Sequence, residues 1–153
     1  MHSGLNGLVS VEFSLRPSQD ADGPWIAELR AVVLRDDLVR LGRFDPVRVR
    51  RRFLDTFRPE LTHVVEIDGR SMGSITLRSE PDAVWIEHFY LDPAFQNQGV
   101  GGGVLREVMA AHADHRPFRL NVLHGSPARR LYERHGFAVY SEDEVDVFMV
   151  AAG

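Results

Sequence analysis

The sequence predicts a mixed α/β domain, and three observations carry that prediction. Apolar residues recur at helical spacing in four segments, strand-like runs fill the stretches between them, and turn or cap chemistry marks most junctions. Read in order, the elements run β-α-α-β-β-β-α-β-α-β-β. The chain has 153 residues and no internal repeat or low-complexity linker, so residues 1–153 are expected to form a single domain with a core large enough to need no staples.

"LVSVEFSLRP" (8–17) alternates well enough for a first strand, and "DGPWIAELRAVVLRDDLVRLG" (22–42) carries helical spacing through Ile26, Leu29, Val33 and Leu34. In "FDPVRVRRRFLDTF", Asp45 is the expected N-cap and Pro46 sits in the first turn, where its missing N–H costs nothing. Val49, Phe53 and Phe57 then form one apolar stripe. "LTHVVEI" leads into Asp68-Gly69, a hairpin signal, followed by "SMGSITL", a turn around Glu80-Pro81-Asp82, and "AVWIEHFYL". A helix from about 99 to 114 is expected next, then "FRLNVL" as a strand. "SPARRLYERHG" reads as a helix capped by Ser126, with Pro127 in its first turn and Gly136 at its end. "FAVYSEDEVDVFMV" closes the chain as a pair of strands, with the acidic run 141–146 as the turn between them.

Composition excludes several classes of function. The net charge of −4 argues against a general nucleic-acid binder, and no stretch approaches the ~20 apolar residues of a membrane span. "MHSGLNGLVS" lacks the basic and apolar regions of a secretory leader, so a cytoplasmic location is expected. The absence of cysteine removes disulfides, thiolate nucleophiles and Cys-based zinc sites. All 18 basic residues besides histidine are arginine, so neither a Walker A lysine nor a Schiff-base amine is available. The histidines at 2, 63, 112, 115, 124 and 135 show no metal spacing with an acidic partner, and no metal is expected.

"FQNQGVGGGVLREVMAAH" (95–112) places four glycines within positions 99–103, at the entrance of a helix. Each glycine inside a helix costs roughly 1 kcal/mol against alanine, so the run needs a reason. One reason is tight packing of helix on strand; the other is an anion cradle, since unpartnered N–H groups at a helix start favour negative charge. A dinucleotide fingerprint G-x-G-x-x-G is disfavoured, because the third glycine position is Val104 and no acid stands about twenty residues on, where the chain reads Leu120-Asn121-Val122.

Gln96-x-x-Gly99-x-Gly101, preceded by a strand ending "YLDP", resembles the Q/R-x-x-G-x-G/A acetyl-CoA loop of the GNAT superfamily of N-acetyltransferases. About thirty residues later, "SPARRLYERHGF" is similar to its second signature, N-P-A-x-x-L-Y-E-x-x-G-F. The resemblance covers nearly the whole element order. It implies a central, mostly antiparallel sheet with two splayed strands, flanked by helices, and a cofactor, acetyl-CoA. The pantetheine arm would hydrogen-bond the backbone of Phe89, Tyr90 and Leu91, with Gln96, Asn97, Gln98, Gly99, Val100, Gly101 and Gly102 around the pyrophosphate and Asn121 and Ser126 beside the arm. Ser126 stands where the family has asparagine: it caps equally well but reaches less far.

The resemblance makes Tyr132 the acid that protonates the departing thiolate, a role that suits a phenol still protonated at neutral pH. Tyr132 also fits a core position, on a face with Ala128, Leu131 and His135. For the base, the position on the following strand reads Asn121, which leaves Glu87 as the main candidate, His88 as its rival, and ordered water as a third route. Alternation puts Trp85, Glu87, Phe89 and Leu91 on one face and Ile86, His88 and Tyr90 on the other, so Glu87 is expected in an apolar setting that raises its basicity.

The region expected to hold the acceptor contains Arg35, Arg40, Arg43, Arg48, Arg50, Arg51, Arg52 and Arg58. These read either as a clamp for a carboxylate or phosphate or as a solvated face balanced by Asp36, Asp37, Asp45 and Asp55. The implied reaction is direct acetyl transfer from acetyl-CoA to a primary amine of a small molecule or peptide, without an acyl-enzyme. The alternative is a CoA-binding sensor without catalysis. The family's habit of pairing through sheets or terminal strands makes a homodimer an open expectation, with no nucleic-acid or membrane partner.

Overall fold

The computed structural model describes residues 11–153, which form seven strands and four helices in the expected order. These are β1 (Ser14–Pro17), α1 (Gly23–Arg40), α2 (Pro46–Leu54), β2 (Thr62–Ile67), β3 (Arg70–Ser79) and β4 (Val84–Leu91). They are followed by α3 (Val100–Ala111), β5 (Phe118–Leu123), α4 (Ala128–Arg134), β6 (Ala138–Glu142) and β7 (Asp146–Ala151). Of the first strand expected over 8–17, residues 14–17 form β1 and residues 8–10 lie outside the described residues.

The strands make one sheet in the order β1-β2-β3-β4-β5-β7-β6. Every neighbouring pair is antiparallel except β4 and β5, which run parallel. The β2–β3 hairpin turns at Asp68 and Gly69, both with positive φ (53° and 75°), the geometry of a two-residue loop whose twist matches its strands. Helices cover both faces. On one, Val104, Leu105 and Val108 of α3 pack with Ile75, Leu120 and Met149 of the sheet. On the other, Ile26 and Ala27 of α1 and Phe53 of α2 bury against Tyr90. Asp45 caps α2 as expected, accepting from the N–H groups of Val47 and Arg48 at 3.0 Å each.

Asp22, at the start of α1, fastens that helix to the sheet. Its carboxylate accepts from Arg16 Nη1 and Nη2 at 3.0 and 2.9 Å, from Trp25 Nε1 at 2.8 Å and from the Gln19 N–H at 2.8 Å. The hydrogen bonds from Arg16 outweigh burial and hold the Asp22 carboxyl down at about 2. A group whose pKa falls on folding stabilises the fold above its unfolded pKa and loses that contribution as pH drops toward the folded value. Urea denaturation of the wild type is therefore expected to show stability declining between about pH 4 and about pH 2. Asp22→Asn should be less stable at pH 7 and show a shallower decline in that window; an unchanged slope would remove Asp22 from the linkage.

Candidate active site

β4 and β5 pair only at their first residues, Val84 with Phe118 and Trp85 with Arg119. Beyond Trp85 the two strands diverge, and the backbone of β4 from Ile86 to Leu91 faces β5 without a partner there. The cause lies on the other side of β4. The register against β3 slips between Thr76↔Glu87 and Ser74↔Tyr90, which places two residues of β4, His88 and Phe89, opposite Ile75 alone. His88 takes a φ of 48° to accommodate the bulge, and its carbonyl accepts a 2.8 Å hydrogen bond from the hydroxyl of the fully buried Ser74. Gly73 lets this happen: a Cβ there would lie 2.6 Å from the Tyr90 carbonyl oxygen and 2.7 Å from Leu91 Cδ2.

The bulge corrects the alternation expected from the sequence. Ile86, Phe89 and Leu91 all pack into the core under α3, whereas His88 and Tyr90 contact Phe53 on the α1–α2 face. Phe89 and Leu91 therefore do not share a face with Glu87, because the extra residue at His88 inverts the parity of everything after it. Glu87 consequently does not lie in an apolar cage. It accepts from Arg78 Nη2 at 2.9 Å and from Arg78 Nε at 3.2 Å, and the same guanidinium stacks over Trp85 at 5.5 Å.

The open edge of β4 runs directly into the glycine-rich loop. Gln96 Nε2 donates to the Leu91 carbonyl at 3.1 Å and folds the loop back along the strand. Asn97 and Gly99 have positive φ (62° and 83°), and Gly99 is the N-cap of α3. No side chain caps this helix and no acid stands in its first turn, so the leading N–H groups are left to whatever lies before them. Gly99, Gly101 and Gly102 line the cleft, Gln98 bonds its amide to the Ala94 carbonyl outside it, and Val100 turns into the core. The packing reading of the glycines holds at two positions. A Cβ at Gly103 would meet the Phe13 ring at 2.7 Å and one at Gly101 would meet Leu131 at 3.2 Å, so these two are packing positions; Gly99 supplies the left-handed turn.

Between β4, β5 and the helices lies a cleft of about 1380 Å³. Phe89, Tyr90, Leu91, Gln96, Asn97, Asn121, Ser126 and Tyr132 all border it. Ser126, expected as the cap of α4, lies one residue ahead of its N-cap, Pro127, and its hydroxyl still accepts from the Ala128 N–H at 3.2 Å. Asn121 donates to Asp146 Oδ1 at 2.9 Å. Tyr132 is 8% exposed and packs its ring by Phe89 and Phe137 at centroid distances of 6.5 and 5.8 Å. Its hydroxyl makes no hydrogen bond among the described residues, and burial, with Tyr90 nearby, pushes the phenol upward from its ordinary value. Tyr132 is thus both a core ring and a cleft hydroxyl.

The α1–α2 wall of the cleft holds a chain that sequence reasoning did not assemble. Arg30 Nε donates to the Tyr90 hydroxyl at 2.8 Å, and that hydroxyl lies 3.0 Å from His88 Nδ1. Burial, reinforced by Arg30, lowers His88 to about 4, so its imidazole is neutral at pH 7. The one signal in the sequence for this arrangement was Gly73-Ser74 inside a strand, since an interior glycine marks a bulge or a close approach. Near the start of α3 the cleft also carries Arg106, Arg130 and Arg134. Among the described residues no three His, Cys, Asp or Glu side chains gather at metal-binding range, and no helix is long and apolar enough to cross a membrane.

Comparison with known proteins adds three likenesses of fold and one of family. Residues 58–139 match the acetyltransferase (GNAT) domain family. Comparison with curated protein sequences found no match. The fold is similar to that of PaiA N-acetyltransferase from Thermoplasma acidophilum, solved in complex with coenzyme A, with 17% identity over 93% of this chain and 99% of that one and a TM-score of 0.73. It is similar to the ribosomal-protein-S18-alanine N-acetyltransferase of Escherichia coli, with 15% identity over 92% and 94% of the chains and a TM-score of 0.70. N-acetylglutamate synthase from Neisseria gonorrhoeae, complexed with coenzyme A and N-acetyl-glutamate, matches 94% of this chain but 36% of its own length, at 17% identity and a TM-score of 0.67.

Gly73→Ala should destabilise the protein by about 1–3 kcal/mol in urea denaturation, because a methyl group there strikes backbone and cannot be absorbed by a side-chain rotation. A neutral result would mean that the bulge relaxes freely.

Proposed function

The chain belongs to the acetyltransferase (GNAT) domain family, and from that premise we propose that it moves the acetyl group of acetyl-CoA directly to a primary amine. The observation that carries this reading is the continuity of the half-unpaired β4 with the uncapped start of α3. A substrate that combines a peptide-like arm with a pyrophosphate suits those two features together: free strand edge for the arm, free helix N–H groups for the anion. Arg106, Arg130 and Arg134 extend the positive field beyond the loop, where further phosphate would lie. Two of the solved relatives in fold contain coenzyme A, which supports the same cofactor here.

Acetyl-CoA supplies the thioester, whose carbonyl an amine can attack. The protein's part is positioning, charge stabilisation and proton handling. The strand edge at Phe89 to Leu91 would hold the arm, with a backbone N–H near Leu91 facing the carbonyl oxygen. The glycine loop would hold the pyrophosphate. Tyr132 keeps its proton across the working pH range because burial raises it, and the same dry surroundings disfavour a free thiolate, so its hydroxyl would be the donor to the departing sulfur. Glu87 retains lone pairs beyond those that Arg78 occupies and can accept from an incoming ammonium, directly or through water.

In thermal-shift titrations, acetyl-CoA and free CoA should each stabilise the protein, by ~2.7 kcal/mol at one hundred times the dissociation constant, and ATP should not. Absence of a shift with both CoA species would end this reading. Tyr132→Phe should reduce kcat roughly 100-fold with little change in acetyl-CoA affinity. An unchanged rate removes the acid role, and CoA binding without thiol release on any amine would favour a non-catalytic sensor.

A further inference from the structure

The arginines of α1 and α2 divide by the face they occupy. On the solvent side, Arg50 pairs with Glu28 at 2.8 Å and Arg51 approaches Asp55 at 3.9 Å. On the cleft side, Arg48 and Arg52 stand one turn apart and make no side-chain hydrogen bond or ion pair among the described residues. Arg30, the third guanidinium of that wall, meets only neutral oxygens, the Tyr90 hydroxyl and the Val49 carbonyl. The acids of the same cleft are engaged. Glu87 is held by Arg78, Asp37 by Arg40 and Glu144 by Arg43. Asp143 accepts two backbone N–H groups, and Asp146 accepts from Asn121. Arg35, outside the cleft, has no acid partner either, but its guanidinium lies over the Phe44 ring at 4.7 Å, so among the arginines of these two helices only the cleft-facing Arg48 and Arg52 are left with no side-chain partner at all among the described residues.

His88 extends this wall as a donor. Arg30 can only donate, so it takes a lone pair of the Tyr90 oxygen. The single hydroxyl proton of Tyr90 then has one acceptor among the described residues, His88 Nδ1. Satisfying both bonds assigns the imidazole proton to Nε2, which has no partner among the described residues. His88 thus presents N–H, not a lone pair, to the cleft it lines. That removes it as the rival base and leaves a hydrogen-bond donor in the same cleft as two unpaired guanidiniums.

We infer that this wall clamps an anion of the acceptor: the substrate is an amine that also carries a carboxylate or a phosphate, bound by Arg48 and Arg52 with His88 Nε2–H as a further donor. The guanidinium fork suits either group, and a neutral or cationic substituent would leave the same donors unsatisfied. The inference rests on the acetyl-transfer reading for the word substrate, but the clamp can be tested without catalysis.

The experiment is a thermal-shift titration at constant ionic strength with four probes: 4-aminobutyrate, O-phosphoethanolamine, butylamine and 1,4-diaminobutane. Each is run with saturating free CoA and without it. The expected result is that an anionic probe stabilises the protein at concentrations at least about tenfold below those needed for butylamine or the diamine. The stronger of the two anionic probes identifies the group. Arg48→Gln with Arg52→Gln should abolish that preference while keeping the response to CoA, and Arg51→Gln, on the solvent side, should leave the preference intact. A preference for butylamine or diaminobutane overturns the clamp, as does an anionic response that survives the double substitution. Silence from every amine in a protein that still binds CoA overturns it too. Anionic probes that bind through Arg48 and Arg52 in a protein that ignores CoA would uphold the clamp and overturn the transfer reading.

Discussion

A strand that stops pairing halfway along a sheet leaves backbone N–H and C=O groups that need new partners, and the architecture of this protein follows from one such interruption. β4 is hydrogen-bonded to β5 at Val84 and Trp85 and then departs from it. In a closed sheet those groups would be satisfied by the neighbour; here they line a cleft. The bulge at His88 bends the strand away, Ser74 satisfies the bulged carbonyl, and Gly73 leaves room for the displaced backbone. Gln96 then uses the Leu91 carbonyl to set the direction of the loop that begins α3. A sequence change at any of these positions acts on the cleft through the course of the β4 backbone, whether it adds bulk at Gly73 or removes the side-chain donor of Ser74 or Gln96.

The two ends of the cleft are electrostatically distinct. At one end the positive character is backbone in origin, from the uncapped start of α3, with Arg106, Arg130 and Arg134 beyond it. At the other end it comes from side chains on α1 and α2, steadied by the Arg30–Tyr90–His88 chain. The chain carries a net charge of −4, so this positive cleft is a local arrangement and no consequence of overall charge. Tyr90 joins the two descriptions: its ring closes the core under α1 and α2, while its hydroxyl lies against His88 Nδ1 in the cleft wall.

Much of the fold was legible from local signals. Asp45 before Pro46, Asp68-Gly69 between two strands, and Ser126 before Pro127 each act over a few residues, and each stands where local chemistry placed it. The glycine run could be located but not apportioned, because whether a glycine serves packing or a turn depends on what approaches it. Phe13 and Leu131 approach from ninety residues before and thirty residues after. Glu87 shows the limit more sharply. Its surroundings were inferred by counting alternate residues, and a single bulge at the very next residue removed the premise.

By itself, then, the sequence determined the order and type of the elements, the family of the fold and the position of the loop that opens α3, because propensities, caps, turns and contiguous motifs are written over short stretches of chain. Only the tertiary structure decided which face each residue of β4 presents, which arginines keep acid partners, and which side chain His88 Nδ1 meets. Those outcomes depend on contacts between residues as far apart in the chain as Arg30 and Tyr90 or Arg43 and Glu144, and on the register of one strand against another, which no local stretch encodes.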